Sequence, residues 1–497
     1  MGTPMKVVFV SSESLPYAST GGLGDVAQAL PAALHRRGID LVKVMPLYRR
    51  IWEGGYTLAD TALRFRIPIG FRLLTAEIWR HEDAVPPVFF VRRDEFFDRR
   101  EIYSLPERDY EDNFERFVFF QKAVVALMDA LALHPDIVHC NDWQTALIPL
   151  FLTHGLQGVG RGGTERTVLT VHNLAYQGLF PASDFSLTNL PFSCYSMEGM
   201  EFYGRINCLK AGLLSADRVT TVSRAYAEEI RREEFGCGLD GVLRKIGDRL
   251  VGIPNGVDYE IWNPATDPLI PRRYTEADVT EGKAECKRHL LAAHGMSAEP
   301  GTPLVGMICR LVEEKGLDIL AEAMPALMQR RLRMIVLGAG QERYQNLCRE
   351  WGRRWPDHFA AIIGFDVKKA HEIDAASDIF LMPSRYEPCG LSQLYALKYG
   401  TLPVVHAVGG LKDTIHEVSP DGTEGNGFRF DEYRAEALLD ALDRALLWYA
   451  NPEAWNRVVQ RAMKEDHSWG RSAAAYEEVY RAAIAPTPPR PGEAGSL

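Results

Sequence analysis

No run of about eighteen consecutive apolar residues occurs in the chain, so the sequence offers no membrane-spanning helix. Excess positive charge is also missing. Lys and Arg number 56 against 66 Asp and Glu, a net charge of −10, which excludes a protein that grips nucleic acid by neutralising its phosphates. Any anionic ligand must therefore be met by a few placed cations. The eight cysteines show no Cys-x-x-Cys spacing, which fits neither a zinc ribbon nor a disulfide scaffold. The segment that begins at Met1 lacks the apolar stretch of a secretory signal, and no solenoid period is visible. These absences predict a cytoplasmic protein with neither membrane nor nucleic-acid partners.

What is present suits large cores: 497 residues, 46% hydrophobic and 25% charged, enough for two or three domains. Both halves open with the same unit. Lys6–Ser11 is a short β-rich run, followed by the Gly-rich loop Thr20–Gly24 and the amphipathic stretch Asp25–Arg37. Leu304–Cys309 is again β-rich, followed by a polar loop and the helical stretch Asp318–Arg330. Further strand-like runs include Ile137–Cys140, Val168–His172, Ile379–Met382 and Leu402–His406. Strands alternating with helices of this length predict an α/β protein with two doubly wound domains. The expected division is residues 1–260, then 261–468, then a helix over 469–484. The Pro-, Gly- and Ser-rich residues 485–497 read as a disordered tail.

The unusual polar clusters follow strands, where open α/β sheets bind ligands. Gly21 and Gly22, followed by Asp25, could let backbone amides approach a phosphate at a helix N-terminus; a simple tight turn is the alternative. The pattern Gly-Gly-Leu-x-Asp recurs at Gly409-Gly410-Leu-Lys-Asp413. Arg310 and Lys315 could neutralise a diphosphate, or be a solvated basic pair beside Glu313 and Glu314. Glu387 could hold sugar hydroxyls or complement a helix dipole. Cys389 lacks a nearby His and reads as a packing or contact residue. His172 could bond a sugar or phosphate, or cap its turn. Asp142 reads as a helix N-cap or, beside the apolar face of Trp143, as a sugar ligand. Asn255 in Pro-Asn-Gly reads as a turn residue.

Taken together, the motifs resemble bacterial glycogen synthases and plant starch synthases, retaining glucosyltransferases of the GT-B type. The resemblance rests on Ser12-Glu13, Thr20–Val26, Tyr110-x-Asp-Asn113, Asp142-Trp143, Thr170–Gly178, Gly252–Asp258, Lys315–Asp318, Glu387-Pro-Cys-Gly-Leu391, Gln393-Leu-Tyr395 and Gly409–Asp413. It implies two Rossmann-like domains facing across a cleft, with the last helix returning to the first domain. It also implies transfer of glucose from a nucleotide-glucose, ADP-glucose favoured over UDP-glucose, to the non-reducing end of an α-1,4-glucan. By the same resemblance Arg310 and Lys315 stabilise the diphosphate, while Glu387 and His172 handle the glucosyl group. Ser19, Gly21, Gly22, Asp25, Tyr103, Asp142, Asn173, Asn255, Phe365, Cys389, Gly390, Leu391, Gly409 and Gly410 line the substrates. No metal or other cofactor is implied.

Two positions depart from the family pattern. Ser19 stands where the family carries the Lys of Lys-Thr-Gly-Gly-Leu, and Phe365 stands where it carries Tyr. The lost ammonium weakens one phosphate contact, since a charge-assisted hydrogen bond is roughly twice as strong as a neutral one. Two alternatives compete with an active synthase: a non-catalytic glucan-binding or regulatory homologue, and another nucleotide-sugar enzyme of the same fold. Intact Arg310, Lys315 and Glu387 argue against the first. Glu387-Pro-Cys-Gly-Leu and His172-Asn-Leu-Ala-Tyr-Gln-Gly argue against the second.

Overall fold

The computed structural model describes residues 4–105, 108–156 and 165–485. All of the tail after Ala485 lies outside the described residues. The chain divides into two compact units. The first comprises the described parts of Met1–Val222, Ala227–Ile253 and Trp469–Leu497; the second comprises Ser223–Tyr226 and Pro254–Ser468. The main passage between units thus falls at Ile253 and Pro254, ahead of the expected boundary at 260.

The first unit is built on a nine-stranded sheet. Its order runs Leu250–Gly252, Arg218–Thr221, Arg166–Val171, Ile137–Asn141, Lys6–Val10, Asp40–Pro46, Val88–Arg92, Arg72–His81, Leu58–Ile69. Every pairing from Leu250–Gly252 to Val88–Arg92 is parallel, and the last two are antiparallel. The central strands are short apolar runs buried on both faces, as parallel strands covered by helices must be. Lys6–Val10 pairs with Asp40–Pro46 on one side and Ile137–Asn141 on the other. The chain reverses its direction of travel across the sheet between Lys6–Val10 and Ile137–Asn141, which makes that point a topological switch.

Helix Gly22–Arg36 follows the first strand and buries Val26, Ala27, Leu30, Ala33 and Leu34 at helical spacing. Trp469, Ala473, Tyr476, Tyr480 and Ala483, on helix Trp469–Ile484, join the same core cluster. His139 Nδ1 lies 2.7 Å from the Tyr480 hydroxyl inside this core.

The second unit holds a six-stranded, all-parallel sheet in the order Phe359–Ile363, Arg333–Gly338, Leu304–Ile308, Ile379–Met382, Leu402–His406, Phe428–Phe430. Its switch point lies between Leu304–Ile308 and Ile379–Met382. Strands expected at Ile379–Met382 and Leu402–His406 have those bounds, and the helical insert expected near residue 283 is Val279–Ala293. Within this unit Val257 N–H donates to the His467 carbonyl at 2.7 Å, which ties together the segments next to the passages at Ile253–Pro254 and Ser468–Trp469.

Candidate active site

Each unit gathers its unusual polar residues at its switch point. In the first, the loop after Lys6–Val10 turns on Glu13, a buried carboxylate. Its Oε2 accepts the Thr20 N–H at 2.5 Å, and its Oε1 accepts the Thr20 hydroxyl at 2.9 Å and the Tyr103 hydroxyl at 2.6 Å. One side chain thus ties the Gly-rich loop to Tyr103. Burial, together with the negative charge of Glu13, holds the Tyr103 hydroxyl well above its usual range. From behind, the ammonium of buried Lys43 donates to Ser14 Oγ at 2.7 Å and to the Ala27 carbonyl at 3.2 Å. Burial lowers that amine to about 7. Sequence reasoning gave neither Glu13 nor Lys43 a role in the site, because their partners are remote in the chain.

A Cβ placed on Gly21 or Gly22 would meet nothing within 4 Å, and Gly21 has the extended φ of −167°. Neither packing nor backbone conformation demands glycine there, so the bare backbone leaves room for something outside this unit's own atoms. Ser19 is half-buried and donates its hydroxyl to the Gly21 carbonyl at 3.0 Å. Burial raises the Asp25 carboxyl to about 6; its own backbone N–H opposes the rise and the charge of Glu13 adds to it.

At the neighbouring strand end, Asp142 sits at the left-handed φ of 56°. It is not a helix cap: its Oδ1 accepts the His172 N–H at 2.8 Å. Burial lifts its carboxyl to about 7 against that hydrogen bond. Asn141 donates its amide to the Val10 carbonyl at 2.9 Å, which turns Oδ1 toward His172 Nε2, also 2.9 Å away. His172 Nε2 therefore carries the proton and Nδ1 offers a lone pair. Burial lowers His172 to about 3, so the ring is neutral. Asn173 Oδ1 accepts the Ala175 N–H at 3.0 Å. Trp143 is not an open platform for a sugar. It is buried against Phe117 and Phe180, and a Cβ on Gly178 would fall 2.6 Å from its ring.

In the second unit, Lys315 donates to Glu387 Oε2 at 2.5 Å, and Ser384 Oγ reaches the same oxygen at 3.0 Å. Both members of the pair are largely withdrawn from water, with side-chain exposures of 19% and 9%. Arg310 is exposed, and among the described residues no ion pair or side-chain hydrogen bond holds it. Cys389 is buried, and burial raises its thiol to about 12 against a hydrogen bond from the Asn255 backbone. Asn255 is no ordinary turn residue. It is 7% exposed, and its Oδ1 has no partner among the described residues. Phe365 presents its ring to solvent at 92% exposure.

The second Gly-Gly pair does not repeat the first. Gly409 has φ +45° and its Cβ would fall 2.0 Å from the Glu387 carbonyl oxygen; a Cβ on Gly410 would fall 2.0 Å from that of Cys389. The Gly410 N–H already donates to the carbonyls of Glu387 and Pro388 at 3.1 and 3.2 Å. These glycines let the backbone pack against the segment Glu387–Leu391, in which Gly390 adopts φ +69° and Leu391 precedes helix Ser392–Lys398. Among the described residues no group of three or more His, Cys, Asp or Glu could hold a metal ion, and no helix is long and apolar enough to cross a membrane.

Two doubly wound α/β units, each with polar groups at its switch point, match the GT-B class of glycosyltransferases. Residues 6–245 match the family model described as starch synthase catalytic domain, and residues 296–464 match that of the group 1 glycosyl transferases. A glycogen synthase of Syntrophotalea carbinolica is 42% identical over 97% of this chain and 99% of its own. One from an Anaeromyxobacter species is 45% identical over 97% and 100%. The catalytic domain of starch synthase IV from Arabidopsis thaliana, bound to ADP and acarbose, superposes with a TM-score of 0.88 at 32% identity, covering 97% of this chain and all of that one. The chain belongs to the glycogen and starch synthase family.

Proposed function

We propose that this chain elongates an α-1,4-glucan, moving glucose from a nucleotide-glucose to the 4-hydroxyl at a non-reducing end with retention of configuration. ADP-glucose is the favoured donor, a reading supported by the ADP held in the Arabidopsis relative. A cytoplasmic site of action fits the eight free thiols. The observation that carries the proposal is the second unit's switch point, where unpaired Arg310 lies a few residues from the buried Lys315–Glu387 pair.

On this reading both half-sites serve one donor. The C1–O bond to the diphosphate breaks as C1 gains its bond to the acceptor oxygen, and the proton of the acceptor hydroxyl passes to the departing phosphate. Arg310 and Lys315 meet the charge that develops on the diphosphate, the kind of preorganised stabilisation that dominates many enzymes. Backbone amides around Gly21 and Gly22, at the start of helix Gly22–Arg36, add to it. Glu387 orients Lys315 and accepts sugar hydroxyls. Neutral His172 accepts a hydrogen bond from a sugar hydroxyl at Nδ1. Phe365 stacks on the base, and Asp25, Tyr103, Asp142, Asn173, Asn255 and Cys389 shape the pocket.

The test is nucleotide release from ADP-glucose and UDP-glucose, with and without glycogen, for the wild type and Arg310→Ala. Glycogen-dependent release, ADP-glucose ahead, is expected. Because Arg310 is exposed and unpaired, the variant keeps its melting temperature while kcat falls by about 10²–10³. Near-normal kcat in the folded variant would overturn the assignment.

A further inference from the structure

We propose that Lys43 is a positioning residue for the nucleotide-sugar: it charges the Gly-rich loop from beneath, and the diphosphate bound at that loop is its counter-ion. The inference rests on the reading that this loop meets a nucleotide-glucose. Ser19 brings no cation to the loop, and Lys43 places one behind it.

The local structure explains why an amine sits there. Pro31 lies inside helix Gly22–Arg36 and has no N–H. The Ala27 carbonyl, four residues earlier, therefore lacks its helical donor. Lys43 Nζ takes that place at 3.2 Å, and the Ser14 hydroxyl lies at the same distance from the carbonyl. Lys43 also donates to Ser14 Oγ at 2.7 Å, and the centre of the Tyr17 ring is 5.3 Å from Nζ. Ser14 is bonded in turn to the loop. Its N–H donates to the Ala18 carbonyl at 2.9 Å, and the N–H of Leu15 donates to the Gly24 carbonyl at 3.0 Å. One side chain thus braces both the loop and the helix that follows it.

These contacts satisfy the amine but not its charge. Lys43 is 5% exposed, and its register partners on the flanking strands are the apolar Phe9 and Val88. From the loop and the helix the titratable groups are Glu13, Tyr17 and Asp25, with His81 and Tyr56 against Tyr17. Glu13 is engaged by Thr20 and Tyr103, and Asp25 is raised to about 6 by its own burial. Neither carboxylate forms an ion pair with Lys43, so burial acts on the amine with no opposing charge and lowers it to about 7.

Such a cation costs stability. Lysine titrates near ~10.4 in an unfolded chain, so the fold binds this proton less tightly. The cost is fully present below about pH 7 and fades as pH rises toward ~10.4. An anion at the loop removes part of it, and by linkage the ammonium strengthens the anion's binding by the same factor. Ala27 is five residues past Gly22, ~7.5 Å along the helix axis, which sets Lys43 ~10 Å behind the helix N-terminus. Through protein on one side and salt water on the other, coupling at that range is about three- to ten-fold in affinity.

The experiment compares the full-length wild type with Lys43→Met and Lys43→Gln. KM for ADP-glucose, whose diphosphate diester does not titrate near neutrality, is read at pH 6 and pH 9 with saturating glycogen. Binding of ADP alone is followed by calorimetry at pH 8 in two buffers of different ionisation enthalpy, which counts the protons taken up. At pH 7 both variants should melt at or above the wild-type temperature, because the buried charge is gone and Ser14 still reaches the Ala27 carbonyl. Their donor KM should exceed that of the wild type by about three- to ten-fold at pH 6, with kcat changing less, and should match it at pH 9. ADP should draw about 0.2–0.4 of a proton more onto the wild type than onto either variant.

An unchanged KM at pH 6 in a folded variant would overturn the proposal. So would a rise of equal size at both pH values, which a purely structural role predicts. Equal proton uptake by all three proteins would assign the proton to Asp25 or Asp142 and overturn it as well. If neither variant folds, a wild type that takes up no proton with ADP overturns it. Failure of the underlying function looks different: the wild type then binds no ADP and releases no nucleotide with any glucan.

Discussion

Lys315 and Glu387 form a contact of 2.5 Å between a cation that follows one strand of the second sheet and a carboxylate that follows the adjacent strand. The pair spans the switch point, so each member is held by the other. Lys315→Met leaves a carboxylate that is 9% exposed with, among the described residues, Ser384 as its remaining side-chain hydrogen-bond partner. This variant should lose about 2–4 kcal/mol, slightly less than a fully buried pair because Lys315 is partly wet. Lys315→Met with Glu387→Gln should recover most of that stability while turnover stays down by about 10²–10³. Chemical denaturation and steady-state kinetics on the three proteins separate the two effects. Equal stability of the single and double variants would show that the pair is not buried in solution.

The two Gly-Gly loops make opposite predictions. Gly22→Ala places its methyl in open space and adds a good helix former at a helix start. It should melt at or above the wild-type temperature yet raise KM for the nucleotide-sugar. Gly410→Ala drives a methyl to 2.0 Å from the Cys389 carbonyl oxygen. It should lose several degrees of melting temperature, and kcat should fall as the Glu387 segment moves. Thermal melts read beside donor KM decide between them.

Ser19→Lys restores the cation that the family carries. Ser19 Oγ lies over Gly24, where a Cβ would be only 2.2 Å away, so a lysine must turn outward from its half-exposed position. An added charge-assisted contact should lower KM for ADP-glucose by about ten-fold, the low end expected for a solvated site, with kcat unchanged. A higher KM would mean that the loop has been rebuilt around the serine.

Asp142 gives the protein a pH signature. Its carboxyl is raised to about 7 in the fold, against ~3.9 for an ordinary aspartate. The folded state therefore binds the proton more tightly, and the cost of ionising Asp142 grows as pH climbs from about 4 to 7. Asp142→Asn keeps an acceptor for the His172 N–H and removes that cost. Measured from pH 5 to 8, its melting temperature should rise relative to the wild type up to about pH 7 and then level off. His172, lowered to about 3, acts in the other direction and costs stability as pH falls below about 6.5 in both proteins.

Much of the framework was legible because buried parallel strands announce themselves locally. Ile379–Met382 and Leu402–Val405 are unbroken apolar runs after helices. Leu58–Ile69 was missed although Leu63-Arg-Phe-Arg-Ile67 alternates, because every second side chain faces water and no long apolar run forms. Arg310, Lys315 and Glu387 could be chosen because each follows a strand at the switch point. Glu13 could not, since its partner Tyr103 is 90 residues away. The strings at Gly21 and Gly409 look alike, and only the backbone of Glu387–Cys389, brought close by the fold, sets their roles apart. Trp143 next to Asp142 looked like a sugar platform, but Phe117 and Phe180 cover it.

The helix Trp469–Ile484 is the last described element, yet it supplies Tyr480 to His139 and closes the first unit's core. Translation therefore delivers the parts out of order. A ribosome that has reached Ser468 has synthesised every residue of the second unit, while the first still shows the apolar flank of Val26, Leu30 and Ala33 whose cluster Tyr476 and Ala473 will join. At ~5–20 residues per second, the stretch from Ile253 to Ile484 leaves that flank bare for roughly 10–50 s. The older half of the nascent chain is the later one to mature.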